Sequence, residues 1–199
     1  IGLCLVGSEM CIRDSKGTAH QAPIVVIAGG LGGFQPRKPS FEGIDKFEDK
    51  GVLYFIREPQ IFKNKNVIIA GGGDSALDWT IELSKIAKNI TLIHRRNEFR
   101  GANDSVEKVQ LLKDQSKINL ITPAEVISLN GNDKLNSVVV KKDNENIEIK
   151  ADYFIPLFGL TPKLGSISEW GLEIEKNSIV VNNSLAVSYT HLRAHETES

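Results

Sequence analysis

The chain has 199 residues, with 24 lysines and arginines against 25 aspartates and glutamates, so its formal net charge at pH 7 is −1. This near-neutral balance argues against nucleic acid as the main partner, because nucleic-acid-binding proteins present a basic surface. No apolar run approaches the roughly 18 residues that a membrane-spanning helix needs. A hydrophobic share of 41% suits one globular domain together with part of a second.

The two ends of the chain differ from the rest. The segments LVGSEMCIRDS (5–15) and VSYTHLRAHET (187–197) have neither helix nor strand periodicity. One DNA segment read in opposite orientations can encode both, and it resembles a translated sequencing adapter. We therefore expect residues 1–15 and 187–199 to be adapter-derived and not native, and residues 16–186 to be an internal piece of a longer protein.

Setting the ends aside removes several candidate sites. The only cysteines, Cys4 and Cys11, lie in the first excluded segment, so no disulfide or metal site is predicted. His191 and His195 have the spacing of a helical metal pair, but they lie in the second excluded segment. The ends carry two basic and four acidic residues, so the remaining sequence has a net charge of +1.

The first strong pattern is a strand followed by glycines. Residues 66–70 (NVIIA) are mostly apolar and β-branched, which predicts a strand, and GGGDSA follows directly. Apolar side chains then recur at helical spacing over 74–87, and a second apolar run covers 90–94. Strand, turn, helix and strand together predict one βαβ unit.

The GGGDSA segment, which we call the glycine turn, fits the G-x-G-x-x-A pattern of dinucleotide-binding folds. Gly71 permits the tight bend, Gly73 lets the backbone approach a pyrophosphate, and Ala76 lets the helix pack closely on the sheet. Unpaired amides and the helix dipole then suit phosphate oxygens. Alternatively, Asp74 or Ser75 caps the helix and nothing binds, but the flanking strand and helix favour a nucleotide site. The candidate residues are Gly71, Gly72, Gly73, Asp74, Ser75 and Ala76.

An arginine cluster follows the second strand, where NAD-binding sites place an acid on the ribose 2′-hydroxyl. The segment TLIHRRNEFR carries His94, Arg95, Arg96 and Arg100, with no acid at the strand end. Guanidinium groups match the oxygens of a 2′-phosphate in pairs. Two such contacts of roughly 1.5 to 3 kcal/mol each would favour NADPH over NADH by about a hundredfold. The alternative is a solvated basic loop.

The remaining pattern predicts a second helix over 102–113 and several short strands joined by the turn sequences NGND and KDNEN. These strands predict a small β-meander that covers the sheet. A closing strand over 152–158 ends at Gly159, which is either a weaker nucleotide-site candidate or a simple turn glycine. The short strands are expected at 120–121, 125–129, 137–141 and 147–150.

Together, GGGDSALDW, HRRNEF with Arg100, and SVEKVQLL resemble the pyridine-nucleotide domain of the thioredoxin-reductase-like (type 2) ferredoxin-NADP reductases. The resemblance covers most of residues 22–184. It implies an α/β fold in which a Rossmann-like, three-layer NADPH domain with a parallel sheet and a β-meander is inserted in an FAD domain that is incomplete here. In that family the backbone near Gly159 lies close to the bound nucleotide.

The resemblance also implies a domain plan and a flavin contact. IVVIAGGLGGFQPRKP (24–39) is similar to the last FAD-domain segment before the NADPH domain, where Phe34 matches a phenylalanine beside the flavin. The sequence from 151 to 182 is similar to the return into the FAD domain. The expected boundaries are 16–41 for the first FAD-domain segment, 42–159 for the NADPH domain and 160–186 for the second FAD-domain segment.

Thioredoxin reductases share the glycine turn and the arginines, but they carry a CxxC pair shortly before the first strand of the NADPH domain. The matching stretch here, residues 51–66, contains no cysteine. Without that dithiol the flavin has no internal disulfide to reduce. Electrons would then leave the flavin directly, which suits a one-electron carrier such as ferredoxin or flavodoxin.

The resemblance therefore implies a cytoplasmic, homodimeric, FAD-dependent ferredoxin-NADP reductase, of which this chain is an inactive piece. Its chemistry is hydride transfer between NADPH and FAD, which asks for no catalytic acid, base, nucleophile or metal from the protein. Two alternatives stay open. One is a related NADPH flavin oxidoreductase with a different acceptor, and the other is a non-enzymatic NADPH-binding module.

Overall fold

The computed structural model describes residues 3–14, 16–28, 33–176 and 178–187, with the side chains of 3–13, 21, 23, 24, 34 and 162 left out. The chain divides into two compact units. Unit 2 is Pro36–Gly159, and unit 1 combines the chain up to Gln35 with the chain from Leu160 onwards. Unit 2 is thus an insertion in unit 1. The family resemblance predicts the corresponding boundaries at 41/42 and 159/160.

Unit 2 is built on a four-stranded sheet in the order β10-β4-β5-β6, in which every neighbouring pair is parallel. Its central strands read as nearly continuous apolar runs because both faces of the sheet are covered. In β4, Val67 and Ile69 point to one face, whereas Ile68 and Ala70 point to the other. The strands are β4 (Asn66–Ala70), β5 (Asn89–Ile93), β6 (Asn119–Ile121) and β10 (Tyr153–Pro156).

Two helices cover one face of this sheet. Helix α1 (Asp74–Leu83) connects β4 to β5, and α2 (Asn103–Asp114) connects β5 to β6. Their buried side chains, such as Leu77 and Val109, form one core cluster with the strand residues on that face.

A three-stranded antiparallel meander lies on the opposite face. Its inward side chains, among them Leu129, Val138 and Val140, share a second core cluster with Ile68 and Phe154 of the sheet. The expected three-layer α/β arrangement with a parallel sheet and a meander is confirmed. The meander strands are β7 (Glu125–Gly131), β8 (Leu135–Lys142) and β9 (Glu145–Lys150).

The first helix is shorter than its apolar pattern predicts, since it ends at Leu83 and not at residue 87. Ser84 turns its hydroxyl back onto the carbonyl of Ile81, 2.7 Å away, which competes with the helical backbone pattern. Beyond it, the carbonyl of Ile86 accepts the amide of Asn64 at 3.1 Å. A contact with a distant loop therefore ends this helix.

Unit 1 contains three small two-stranded sheets and a small core around Ile27, Leu172 and Val187. Residues 5–15 have no strand periodicity, yet the structure pairs this region with the next strand, because backbone hydrogen bonds alone can pair strands. The adapter origin of 1–15 and 187–199 stays a prediction, and residues 188–199 lie outside the described part. The strands are β1 (Leu3–Arg13), β2 (Ala19–Ile27), β3 (Gly33–Pro36), β11 (Leu160–Lys163), β12 (Ile174–Glu175) and β13 (Ser178–Ile179).

Candidate nucleotide-binding site

The glycine turn begins where β4 leaves the sheet, between two close neighbours. The amide of Gly71 still donates to the carbonyl of Ile93 at 3.0 Å. A Cβ on Gly71 would lie 2.6 Å from the carbonyl oxygen of Leu157 and 2.9 Å from the Cβ of Ala76. Only glycine passes through this gap, and the small side chain of Ala76 keeps α1 close to the sheet, as the G-x-G-x-x-A spacing predicts.

The N-terminus of α1 is open on its outer side. Gly73 is the N-cap in an extended conformation and no side chain caps the helix, so neither Asp74 nor Ser75 does so. The amides of Ala76 and Leu77 donate to the Gly73 carbonyl at 3.0 and 3.2 Å. Within the described residues no hydrogen bond uses the amides of Asp74 and Ser75.

The backbone beside these amides is open at Gly73. No atom of the described chain lies within 4 Å of the position that a Cβ on Gly73 would take. Two unused amides, the positive end of the α1 dipole and open space beside a glycine together make a candidate cradle for an anion.

His94 lies behind the turn, with only 6% of its surface exposed. Its ring stacks on Phe99 with centroids 5.2 Å apart, and its Nε2 lies 3.1 Å from the carbonyl oxygen of Glu98. A Cβ on Gly72 would collide with this ring, so Gly72 is glycine because the histidine is there. His94 supports the turn from behind, and a direct contact with the nucleotide stays a prediction.

Burial lowers the pKa of His94 below its ordinary value, which favours the neutral ring. The hydrogen bond at the Glu98 carbonyl opposes this shift, whereas the positive charges of Arg100, Arg95 and Arg96 add to it. All three predicted arginines are therefore close enough to act electrostatically on one imidazole.

The arginines themselves are exposed and unengaged. Arg95, Arg96 and Arg100 all have exposed side chains. Across the described ranges, 33–176 included, no ion pair or side-chain hydrogen bond involves any of the three guanidinium groups. Three free guanidinium groups around one strand end make a site of strong positive potential, which suits a phosphate.

The loop that carries them, residues 94–102, is called the arginine loop below. It is fastened to the glycine turn at its far end, because the amide of Arg100 donates to the Gly72 carbonyl at 2.7 Å. The amide of Ala102 donates to Asp74 Oδ1, also at 2.7 Å. Gly101 allows this approach, since a Cβ there would lie 2.5 Å from Leu77 Cδ1 and 3.1 Å from Asp74 Oδ1.

The sequence reasoning missed Phe99, Gly101 and Ala102 as parts of the site. Gly101, a glycine directly before the second predicted helix, was the one available signal of a close backbone approach. Phe99 and the backbone of Ala102 carry no such signal, because the stacking of Phe99 on His94 and the bond from Ala102 to Asp74 arise only in the folded chain.

Two further candidates lie away from the turn. Gly159 follows β10 with φ +95°, and a Cβ on it would meet nothing within 4 Å. Its carbonyl accepts the amide of Arg37 at 3.0 Å. Phe34 lies in β3, and its side chain is outside the part of the chain that the structure describes.

The described residues contain no candidate for a membrane span or a metal site. None of the helices in the described ranges has the length and apolarity needed to cross a membrane. In the same ranges, no group of three or more histidine, cysteine, aspartate or glutamate side chains is arranged to hold a metal ion.

Comparison with known proteins identifies the family. Residues 6–194 match the family described as pyridine nucleotide-disulphide oxidoreductase. The chain belongs to this family.

Curated relatives are similar over most of this chain. The Ferredoxin--NADP reductase of Flavobacterium johnsoniae is 62% identical over 174 residues, which cover 87% of this chain and 50% of that protein. The Ferredoxin--NADP reductase of Wolbachia pipientis is 42% identical over 179 residues, covering 88% of this chain and 54% of that protein. The chain thus spans about half the length of the curated relatives it matches.

Solved structures support the fold. Thioredoxin reductase from Lactococcus lactis superimposes with a TM-score of 0.70 at 24% identity, covering 91% of this chain and 62% of that chain. Thioredoxin reductase from T. acidophilum gives a TM-score of 0.71 at 22% identity, covering 92% and 63%. At these identities the likeness establishes the architecture alone.

Proposed function

We propose that unit 2 binds NADPH, with the pyrophosphate at the glycine turn and the 2′-phosphate in the arginine loop. The observation that carries this proposal is the pairing of two features. An open helix N-terminus with unused amides at Asp74 and Ser75 is hydrogen-bonded directly to a loop with three unengaged arginines. Either feature alone is common, whereas the two together match the two phosphate groups of one dinucleotide.

The charge of the loop favours NADPH over NADH. An NAD site uses a carboxylate to accept a hydrogen bond from the ribose 2′-hydroxyl, and that carboxylate would repel a 2′-phosphate. Here the strand end carries Arg95 and Arg96, and the nearby His94 is buried and favoured in its neutral form. The arginines, not the histidine, then supply the positive charge.

We further propose that the parent protein is an FAD-dependent ferredoxin-NADP reductase. Two curated relatives at 62% and 42% identity carry that name, and each spans about twice this chain. FAD enters through the family resemblance, with Phe34 as the residue that would face it. Bound NADPH would supply a hydride to the flavin, and the task of this chain is to hold the nucleotide in place.

Ferredoxin is the proposed electron acceptor, with flavodoxin as an equivalent one-electron carrier. Residues 51–66 contain no cysteine, so this stretch offers none of the dithiol chemistry of thioredoxin reductases. The proposal also includes a homodimeric full-length protein in the cytoplasm. Within the parent, 16–41 and 160–186 would belong to the FAD domain and 42–159 to the NADPH domain.

Calorimetric titration of the 199-residue chain with NADPH and NADH at one fixed salt concentration tests the nucleotide assignment. We expect NADPH to bind about a hundredfold more tightly, because two charge-assisted contacts stabilise its 2′-phosphate. The double variant Arg95→Ala, Arg96→Ala should lose most of this preference while keeping its affinity for NADH. Equal affinities for both nucleotides in a folded wild-type chain would contradict the proposal.

A further inference from the structure

An aspartate at the first position of a phosphate-binding helix raises a question of charge. The N-terminus of α1 attracts anions, but Asp74 at its start is itself an anion and would repel a bound pyrophosphate. Capping cannot explain it, because no side chain caps α1.

The Asp74 carboxylate makes a hydrogen bond to the start of the second helix. Its Oδ1 accepts the amide of Ala102 at 2.7 Å, and Ala102 is the N-cap residue of α2. The carboxylate of Asp74 therefore stabilises the start of the second helix and not of its own. Gly101 lets the chain approach, with a would-be Cβ only 3.1 Å from that same oxygen.

This bond closes the arginine loop onto the glycine turn. The amide of Arg100 is already bonded to the carbonyl of Gly72, and the Asp74–Ala102 bond holds the chain two residues further on. Between His94 and these bonds, the loop is held by the contacts of the His94 ring with the Glu98 carbonyl and with Phe99. The two bonds hold the far end of the loop to the turn, and no contact in the described part of the chain holds the guanidinium groups themselves.

We propose that Asp74 is a positioning residue for nucleotide selectivity: by holding the amide of Ala102, it sets the arginine loop at the right distance from the pyrophosphate cradle. This inference rests on the proposed NADPH site and deepens it. The Asp74 carboxylate that makes this hydrogen bond also repels the pyrophosphate. This repulsion weakens the binding of NADPH and NADH alike.

Two substitutions of Asp74 separate the effect of its negative charge from the effect of its hydrogen bond to Ala102. Asp74→Ala and Asp74→Asn both remove the negative charge, but asparagine keeps a side-chain oxygen that can accept the Ala102 amide. We expect Asp74→Ala to lower the ratio of NADPH to NADH affinity by about fivefold, equal to about 1 kcal/mol, the net value of one hydrogen bond. Asp74→Asn should keep the wild-type ratio.

A matched control lies one turn further along the same helix. Asp78 Oδ1 accepts the hydroxyl of Ser105 at 2.8 Å, so it also joins α1 to α2, but away from the arginine loop. Asp78→Ala should leave the affinity ratio unchanged. If it lowers the ratio as much as Asp74→Ala does, general loosening of the helix pair explains the effect and the proposal is wrong.

Removing the donor provides a variant that leaves Asp74 intact. Ala102 has φ −58°, a value that proline adopts, so Ala102→Pro deletes the amide hydrogen, and the exposed carboxylate of Asp74 turns away from the new ring. We expect it to lower the affinity ratio about as much as Asp74→Ala. Thermal unfolding followed by circular dichroism checks that each variant is folded.

The decisive arm combines Asp74→Ala with Arg95→Ala, Arg96→Ala and Arg100→Ala in the 199-residue chain, measured by the same NADPH and NADH titrations. If Asp74 acts through the arginines, its loss changes nothing further in their absence; a second fall in the ratio would overturn the proposal. A wild-type chain with no NADPH preference would instead overturn the proposed function. A wild-type preference that survives Asp74→Ala would overturn only the role of Asp74.

Discussion

The glycine turn and the arginine loop are joined by a hydrogen bond, yet they are built in opposite ways. In the turn, Gly71 and Gly72 are buried and hemmed in by Leu157 and His94, so their conformation leaves no room for other residues. In the loop, the guanidinium groups of Arg95 and Arg96 are exposed and only the backbone is held. In the proposed site the turn holds the pyrophosphate that every dinucleotide carries, whereas the side chains of the loop, which set the proposed choice of nucleotide, can change without disturbing the fold.

The largest effect is expected from Gly72→Ala, which places a methyl group against the His94 ring. The new Cβ collides with the His94 ring, which is itself stacked on Phe99, so overpacking should lower the free energy of unfolding by about 2 to 3 kcal/mol. Urea unfolding measures this.

Gly73→Ala is the matched control for that substitution. Its Cβ meets nothing within 4 Å, so stability should stay within about 0.5 kcal/mol of wild type, whereas both nucleotides should bind more weakly because the methyl group enters the cradle. Equal destabilisation by the two substitutions would contradict the difference between these glycines.

On the loop side, Arg100→Ala should weaken NADPH binding by about tenfold and leave NADH binding unchanged, because one exposed charge-assisted contact is lost. The backbone amide of residue 100 still binds the Gly72 carbonyl, so the loop stays fastened. Calorimetry measures both affinities. Lys108→Ala, which removes an exposed cation of α2, should change neither affinity. If Arg100→Ala lowers the affinities for NADPH and NADH equally, the loop does not act on the 2′-phosphate alone and the distinction between turn and loop is wrong.

A smaller effect is expected for Gly159→Ala, beyond both regions. At φ +95° an alanine is strained, which should cost about 1 kcal/mol of unfolding free energy. If the backbone here approaches the shared part of the nucleotide, NADPH and NADH should both bind more weakly by the same factor in calorimetric titrations. Unchanged affinities would make Gly159 a turn glycine and nothing more.

The smallest effect concerns the histidine between the two regions. The pKa of His94 is lower in the folded chain than its ordinary value of about 6.5, so below that pH the unfolded chain takes up a proton that the folded chain resists. Stability should therefore fall as the pH drops from about 6.5 towards the lower folded pKa, with a slope of at most one proton. In His94→Gln this part of the slope should vanish in urea titrations across that range; an identical slope would show that the ring titrates freely.

Short-range pattern was enough for much of this architecture. The strand at 66–70 and the glycine turn follow from β-branched residues and from glycine spacing, which act through neighbours along the chain. The end of α1 at Leu83 and the bond from Asp74 to Ala102 could not be predicted in this way, because both depend on segments that meet only after folding. The burial of His94 likewise depends on packing that forms only on folding, and its direct contact with a nucleotide stays a prediction.

The central claim, that the arginine loop holds a 2′-phosphate, is tested most directly by phosphorus NMR of NADP⁺ bound to the 199-residue chain. The second pKa of a free phosphate monoester is about 6. Guanidinium groups around the bound phosphate should hold its pKa well below that value, so its resonance should stay that of the dianion on acidification. The Arg95→Ala, Arg96→Ala variant should move the titration back towards that of free NADP⁺, and a bound 2′-phosphate that titrates like the free one in the wild-type chain would contradict the account.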